Sequence, residues 1–294
     1  MTTTPIIDRS FLEKLERLSL HWQQPFQGLV GGHQRSRSPG PGQEFLDHRH
    51  FHDGDDPRAV NWRAYMRLEK LILKMFQVEP RVPVRLLLDV SQSMTTGAIP
   101  KFDYARRLAA ALCYIGLIRL DAITVQPFSD HLGDPFLCCG GRQRLAETVD
   151  RLAALAPGGP TSYLQVAREF SSAGPPRGLL MVLSDFLDDQ DCIRPLQYMA
   201  DAGHELLLIH LWAEEDRTPP WDGELDLTHA ESGARLELSF GPEAREAYTE
   251  AFDRWARSLQ EAAIRKGGRY ASISTSVPIE TAIFGPLVGA GAVE

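Results

Sequence analysis

Residues 84–93, Val84-Arg85-Leu86-Leu87-Leu88-Asp89-Val90-Ser91-Gln92-Ser93, decide the fold. Val84 to Leu88 is a short apolar run that reads as a strand, and an acid with two alternate serines follows it directly. Downstream the pattern recurs. Phe102–Leu120 reads as a helix, Ala122–Phe128 as a strand, and Leu145–Leu155 and Tyr163–Ser171 as helices. Gly178–Leu183 is a strand, Gln190–Ala202 a helix, Glu205–Trp212 a strand, Pro242–Lys266 a long helix and Tyr270–Ser274 a last strand. Short apolar strands alternating with helices imply an α/β fold, a doubly wound and mostly parallel sheet covered on both faces. One interruption is expected: Leu225–Phe240, turning at Ser232-Gly233, reads as a β-hairpin inserted before the long helix.

Working outward to the N-terminus, Pro80 and Pro83 punctuate the chain and mark a boundary. Residues 83–294 form the α/β domain, and residues 43–82 form a block rich in aromatic, His and Arg side chains. Within that block Ala59–Leu68 reads as a short helix and Leu71–Val78 as a strand. Residues 1–42 hold a first helix, with Ser10–Glu13 as a capping box, and then Gly28–Gly42. That last stretch is dominated by Gly, Ser, Pro and Arg and reads as flexible.

The 294 residues are 43% apolar and 24% charged, the balance of an ordinary folded chain. The formal charge is −8, and the acidic excess lies beyond residue 85. An acidic main body argues against a nucleic-acid binder, whose affinity rests on neutralising phosphates. No basic segment followed by an apolar stretch opens the chain, so no signal peptide is expected. The apolar run Leu108–Ile118 and the C-terminal run Thr281–Val293 fall short of the ~20 residues that span a bilayer. The four cysteines make no CxxC pair and no metal-ligand spacing. A cytoplasmic protein with reduced thiols and no membrane span is the expectation.

In doubly wound sheets ligands bind outside the carboxyl ends of the strands. Three polar segments fall there: the D-x-S-x-S turn at Asp89, Ser91 and Ser93, the loop Gly158-Gly159-Pro160-Thr161-Ser162, and Ser184-Asp185. Hydroxyl and carboxylate oxygens suit a hard cation, one Mg²⁺ or Mn²⁺, held by Asp89, Ser91, Ser93, Thr161 and Asp185. The competing reading of Asp89, Ser91 and Ser93 is a capping turn, since Ser and Asp are favoured wherever a strand runs into a helix.

These residues resemble the metal-ion-dependent adhesion site of von Willebrand factor A domains: Asp89-x-Ser91-x-Ser93, Thr161 and Asp185 stand in the expected order on the expected elements. The upstream residues sharpen the match. Glu44-Phe45, Arg49-x-Phe51-x-x-Gly54-Asp55-x-x-Arg58-x-Val60-x-Trp62, Lys74 and Glu79 resemble the bacterial domain-of-unknown-function family fifty-eight. The resemblance implies a von Willebrand A-like fold behind an N-terminal block, and a MoxR-type AAA+ ATPase as partner. The implied function is a non-enzymatic, metal-dependent protein-binding module that helps assemble or remodel a client complex.

The alternative is a Mg²⁺- or Mn²⁺-dependent phosphoester hydrolase using the same cation, with His131 or His210 as base. Neither a D-x-D turn nor a G-x-S-x-G elbow is present, so no catalytic nucleophile is identified. His48, His50 and His52 alternate as zinc ligands on a strand would, but read more simply as surface histidines. Arg49, Asp55, Arg58 and Trp62 read as a structural ion-pair and packing cluster with Trp62 as its lid. The acids Asp188, Asp189 and Asp191 read as a helix N-terminus.

Overall fold

Every side chain of the strand Val84–Asp89 except Arg85 is buried. Alternation sends Val84, Leu86 and Leu88 to one apolar cluster and Leu87 to another, so a helical layer covers each face. In the computed structural model, residues 9–21, 44–52, 60–77, 82–188, 190–231 and 233–294 are described. The chain divides into two units: residues 1–24 with 82–294, and residues 25–81.

The larger unit holds a six-stranded sheet. Its strands are β3 (Val84–Asp89), β4 (Ile123–Phe128), β5 (Phe136–Cys138), β6 (Leu179–Ser184), β7 (Glu205–Trp212) and β10 (Arg269–Ser274). The order is β10-β7-β6-β3-β4-β5, parallel throughout except for β5, which pairs antiparallel at the edge. This is the mostly parallel sheet expected from the alternation. Only β5 lies outside that reading, because three residues (Phe136-Leu137-Cys138) carry no usable period.

On one face lies α3 (Lys101–Ile118), apolar all round from Leu108 onward: Leu108, Ala109, Ala110, Ala111, Leu112, Cys113 and Ile115 have no exposed surface. A helix so apolar has to be enclosed. Around it pack α4 (Leu145–Ala153), α9 (Ile279–Ala282) and α1 (Arg9–Leu15). The first helix is described over Arg9–Leu15, which takes in Ser10, and its Leu15 is fully buried beside α3. Residues 1–24 therefore belong with the α/β unit. The C-terminal apolar run buries Ile283, Leu287 and Val293 in the same cluster, and Val293 bridges Leu20.

On the other face lie α5 (Tyr163–Ala173), α6 (Ile193–Asp201) and the 24-residue α8 (Pro242–Arg265). The sequence places all three helices within a few residues. Between β7 and α8 come the short α7 (Glu214–Arg217) and the antiparallel hairpin of β8 (Gly223–Thr228) and β9 (Arg235–Phe240). Three of the four cysteines are buried, and all four are free thiols.

The smaller unit pairs β1 (Glu44–His50) with β2 (Ile72–Gln77), antiparallel and with a bulge between Phe45 and Asp47. Its helix α2 (Trp62–Leu68) starts where the Asn61 side chain accepts from the Ala64 amide. Trp62 is 56% exposed, with its ring edge-on to Tyr65, and the Arg49, Asp55 and Arg58 side chains of its expected cluster lie outside the described residues. Asp53, Asp55, Arg58 and Glu79 lie outside the described residues, as do Gly28–Gly42.

One polar side chain is enclosed in the second cluster. His210 on β7 lies among Phe186, Phe252 and Trp255, with Nδ1 2.7 Å from the Tyr270 hydroxyl and Nε2 buried without a hydrogen-bond partner. Burial, and then the Lys101 charge, push its pKa down to about 3. The unfolded chain takes up this proton first as pH falls. The histidine's contribution to stability is therefore full above about pH 6.5 and is lost progressively from there toward pH 3. Urea unfolding at about pH 7 and about pH 4.5 is expected to show a drop about 2–3 kcal/mol larger in the natural protein than in His210→Phe. Equal drops would contradict a neutral buried imidazole.

Candidate functional site

The chain runs from β3 to β4 on one side and returns to β6 on the other, so the strand order reverses between β3 and β6. The carboxyl ends of strands at such a reversal form an open crevice, where doubly wound sheets place ligands. Asp89 ends β3, and Ser184 ends β6 with Asp185 just beyond it. The crevice thus starts with two carboxylates.

Asp89 has no exposed surface. Its Oδ1 accepts from the Ser91 amide at 2.9 Å, and its Oδ2 accepts from the Ser184 hydroxyl. Ser184 in turn accepts from the Tyr163 hydroxyl at 2.6 Å and from the Phe186 amide at 2.7 Å. This relay ties β3, β6 and the start of α5 together. Burial, and then the Asp185 charge, push the Asp89 carboxyl up to about 7. Ser91 and Ser93 turn their hydroxyls to each other, 3.0 Å apart and both buried.

The loop that carries Thr161 is sewn onto this turn by backbone bonds. The Gly158 amide donates to Val90 O at 2.7 Å, and the Gln92 amide donates to Gly159 O at 2.9 Å. Gly159 holds φ +84°, a left-handed conformation that an L side chain adopts only with strain. Ser162 then caps α5 by accepting from the Gln165 amide. Asp188 accepts from the Tyr163 and Gln190 amides, and Asp191 from those of Ile193 and Arg194, so these acids cap helix starts. Asp189 lies outside the described residues.

Two further groups reach the site that the sequence reading did not single out. The first is Lys101, fully buried at the start of α3, with Nζ 2.8 Å from Asp185 Oδ2 and 3.0 Å from Asp216 Oδ2. Burial alone would lower its pKa; Asp185 and Asp216 outweigh that and raise it, so the ammonium stays charged. A signal existed: a lysine in the first turn of an apolar helix sits at the wrong end of the helix dipole unless carboxylates face it. The second is Glu231, in the turn between β8 and β9. Its Oε2 accepts from the Thr161 amide at 2.9 Å and its Oε1 from the Thr161 hydroxyl at 2.8 Å. Beside it lies a cavity of about 280 Å³ between Ser93 and Thr96, Leu187 and Asp188, and the turn residues 229–231.

The donor set of Asp89, Ser91, Ser93, Thr161 and Asp185 is all oxygen, which suits a hard divalent cation. Asp185 has a partner on each oxygen, the Leu187 amide on Oδ1 and the Lys101 ammonium on Oδ2, so the Ser91, Ser93 and Thr161 hydroxyls are the groups that would meet an ion directly. Among the described residues no group of three His, Cys, Asp or Glu is placed to hold a metal, so the hydroxyls are essential to the fit. The two histidines considered as a base stand apart from this set. His131 is exposed and paired with Glu169, and His210 is enclosed by aromatic rings.

Comparison with known proteins gives a family. The model described as protein of unknown function DUF58 matches residues 47–257, and the chain belongs to that family. Uncharacterised proteins of Mycobacterium tuberculosis and Mycobacterium bovis are 29% identical over 254 residues, covering 84% of this chain and 79% of theirs. Among solved structures, a conserved hypothetical protein BatB from Bacteroides thetaiotaomicron is 16% identical, with a TM-score of 0.44 over 71% of this chain and 98% of that one. An aerotolerance-related membrane protein from Bacteroides fragilis is 17% identical, with a TM-score of 0.42 over 71% and 99%. An uncharacterised membrane spanning protein from Vibrio fischeri is 15% identical, with a TM-score of 0.23 over 71% and 97%. The expected cytoplasmic location is withdrawn, because solved structures that match the chain are named as membrane proteins. No helix among the described residues is long and apolar enough to cross a membrane.

Lys101 sets the stability of this end of the sheet. Truncation to Ala leaves Asp185 and Asp216 without their cation, and breaking a buried pair from one side costs about 3–5 kcal/mol. Urea unfolding of Lys101→Ala near neutral pH is expected to show a loss of that order. A loss under about 0.5 kcal/mol, the range of an ordinary surface change, would show that the pair is not formed.

Proposed function

We propose that this member of the DUF58 family is a cation-dependent protein-binding module of von Willebrand factor A type, working with a MoxR-type AAA+ ATPase on a client protein complex. The observation that carries the reading is the meeting of Asp89, Asp185 and the Ser91–Ser93 hydroxyl pair at the β3/β6 reversal, with the Thr161 loop bonded onto the same turn. Ser91, Ser93 and Thr161 would hold one Mg²⁺ or Mn²⁺, with Asp89 and Asp185 bound to it directly or through its waters. When bound, the ion supplies a point of concentrated positive charge that takes a carboxylate from a partner.

The chain's own residues prepare that point. Asp89 is fixed by Ser184 and the Ser91 amide, so its orientation costs no ordering when an ion arrives. Lys101 offsets part of the negative charge of Asp185 and Asp216. The partner class rests on the resemblance of the motifs at residues 44–93 to a family commonly encoded beside MoxR-type ATPases.

The test is affinity capture with the full tagged chain from lysate of its native cell. The bait is the natural protein, Asp89→Ala or Ser91→Ala, each checked for folding by circular dichroism and captured in Mg²⁺ or in EDTA. A MoxR-type AAA+ ATPase is expected with the natural protein in Mg²⁺, falling about tenfold or more with EDTA or with either variant. Equal recovery of the ATPase in all conditions, or its absence throughout, would refute the proposal.

A further inference from the structure

The hairpin β8–β9 stands off the main sheet as a two-stranded unit, and most of its side chains are exposed. Two exposed strands have no core of their own to fix where their turn lies. The turn is held nonetheless. Glu231 places both carboxylate oxygens on Thr161, one on the amide and one on the hydroxyl, across 70 residues of sequence. Within the turn the His229 amide donates to Ala234 O and the Gly233 amide to His229 O, which closes the turn that carries Glu231. The carboxylate therefore sits against the one donor residue that the Gly158–Ser162 loop contributes to the site.

A carboxylate in this place is the chemistry that the site is proposed to accept from a partner. We infer that Glu231 is a tethered internal ligand: the hairpin turn occupies the carboxylate-accepting position beside Thr161, and an acidic partner segment has to displace it to bind. The inference rests on the cation-dependent reading above and adds to it how the site is kept closed. The physical basis is competition within one chain. A group on a short tether acts at an effective concentration in the millimolar range. A partner's apparent affinity is then reduced by the fraction of molecules in which the position is open. A cavity of about 280 Å³ lies beside the turn. Residues 229–231 line that cavity on one side, and Ser93, Thr96, Leu187 and Asp188 line the others.

The probe is a fluorescein-labelled peptide of alternating Glu and Gly, titrated with the full chain in millimolar Mg²⁺ and in EDTA and read by anisotropy. Three proteins are compared: the natural chain, Glu231→Ala, and Glu237→Ala, which removes an exposed acid from β9 of the same hairpin. Glu231→Ala is expected to bind the peptide about tenfold more tightly in Mg²⁺ than the natural chain does, and Glu237→Ala to match the natural chain. Amide exchange at Thr161 is expected to speed up in Glu231→Ala alone. Mg²⁺-dependent binding that is equal in the natural chain and Glu231→Ala, or a gain shared by Glu237→Ala, overturns the internal ligand and leaves the cation reading standing. No Mg²⁺-dependent binding in any of the three overturns the cation reading and the internal ligand together.

Discussion

A carboxylate at the buried end of a central strand has to be answered by hydrogen bonds or neutralised, because an unpaired buried charge costs several kcal/mol even after relaxation. Asp89 is that carboxylate, and the arrangement around the carboxyl end of the sheet answers it. Ser184 donates from β6, the Ser91 amide donates from the turn, and Tyr163 holds Ser184 from the start of α5. Tyr163 also stacks on Phe186 and meets Phe128 edge-on, so the polar relay is seated on the apolar cluster beneath it. Packing and polar satisfaction thus fix the same geometry.

The second carboxylate, Asp185, is handled differently. Its Oδ1 accepts from the Leu187 amide, while Oδ2 faces the Lys101 ammonium, which also reaches Asp216 beyond β7. The start of α3 is thereby pinned to the ends of two strands. The crevice is built around positive charge in two forms: a permanent ammonium on one side and, in the proposed reading, an exchangeable divalent ion beside the serine hydroxyls. The hydroxyl side faces the cavity and the hairpin turn, which makes it the side open to regulation.

Much of this was legible because local chemistry and global fold agree. The strands at 84–88, 178–183 and 205–212 announce themselves as apolar runs, and the polar residues that follow mark the binding edge. What was not legible has physical causes. The edge strand Phe136–Cys138 is too short to show a period. The C-terminal run around Ile283–Val293 reads as an isolated apolar stretch, and only tertiary packing shows that it closes the α3 cluster. Trp62 gave no sign that it would be exposed. The contact between Glu231 and Thr161 joins a hairpin turn to a distant loop, and neither neighbourhood carries a trace of the other. The D-x-S-x-S turn and the Gly158–Ser162 loop drew attention to Ser91, Ser93 and Thr161, yet nothing local pointed to the Glu231 carboxylate that bonds Thr161.

If the crevice holds a cation through its hydroxyls, Mn²⁺ titrated into the full chain and followed by electron paramagnetic resonance is the direct measurement. One bound Mn²⁺ per chain is expected, displaced by excess Mg²⁺ and lost in a folded Ser91→Ala, Ser93→Ala double variant. Binding that survives the loss of both hydroxyls, or no binding by the natural protein at millimolar Mn²⁺, would contradict a hydroxyl-built cation site at the β3/β6 reversal.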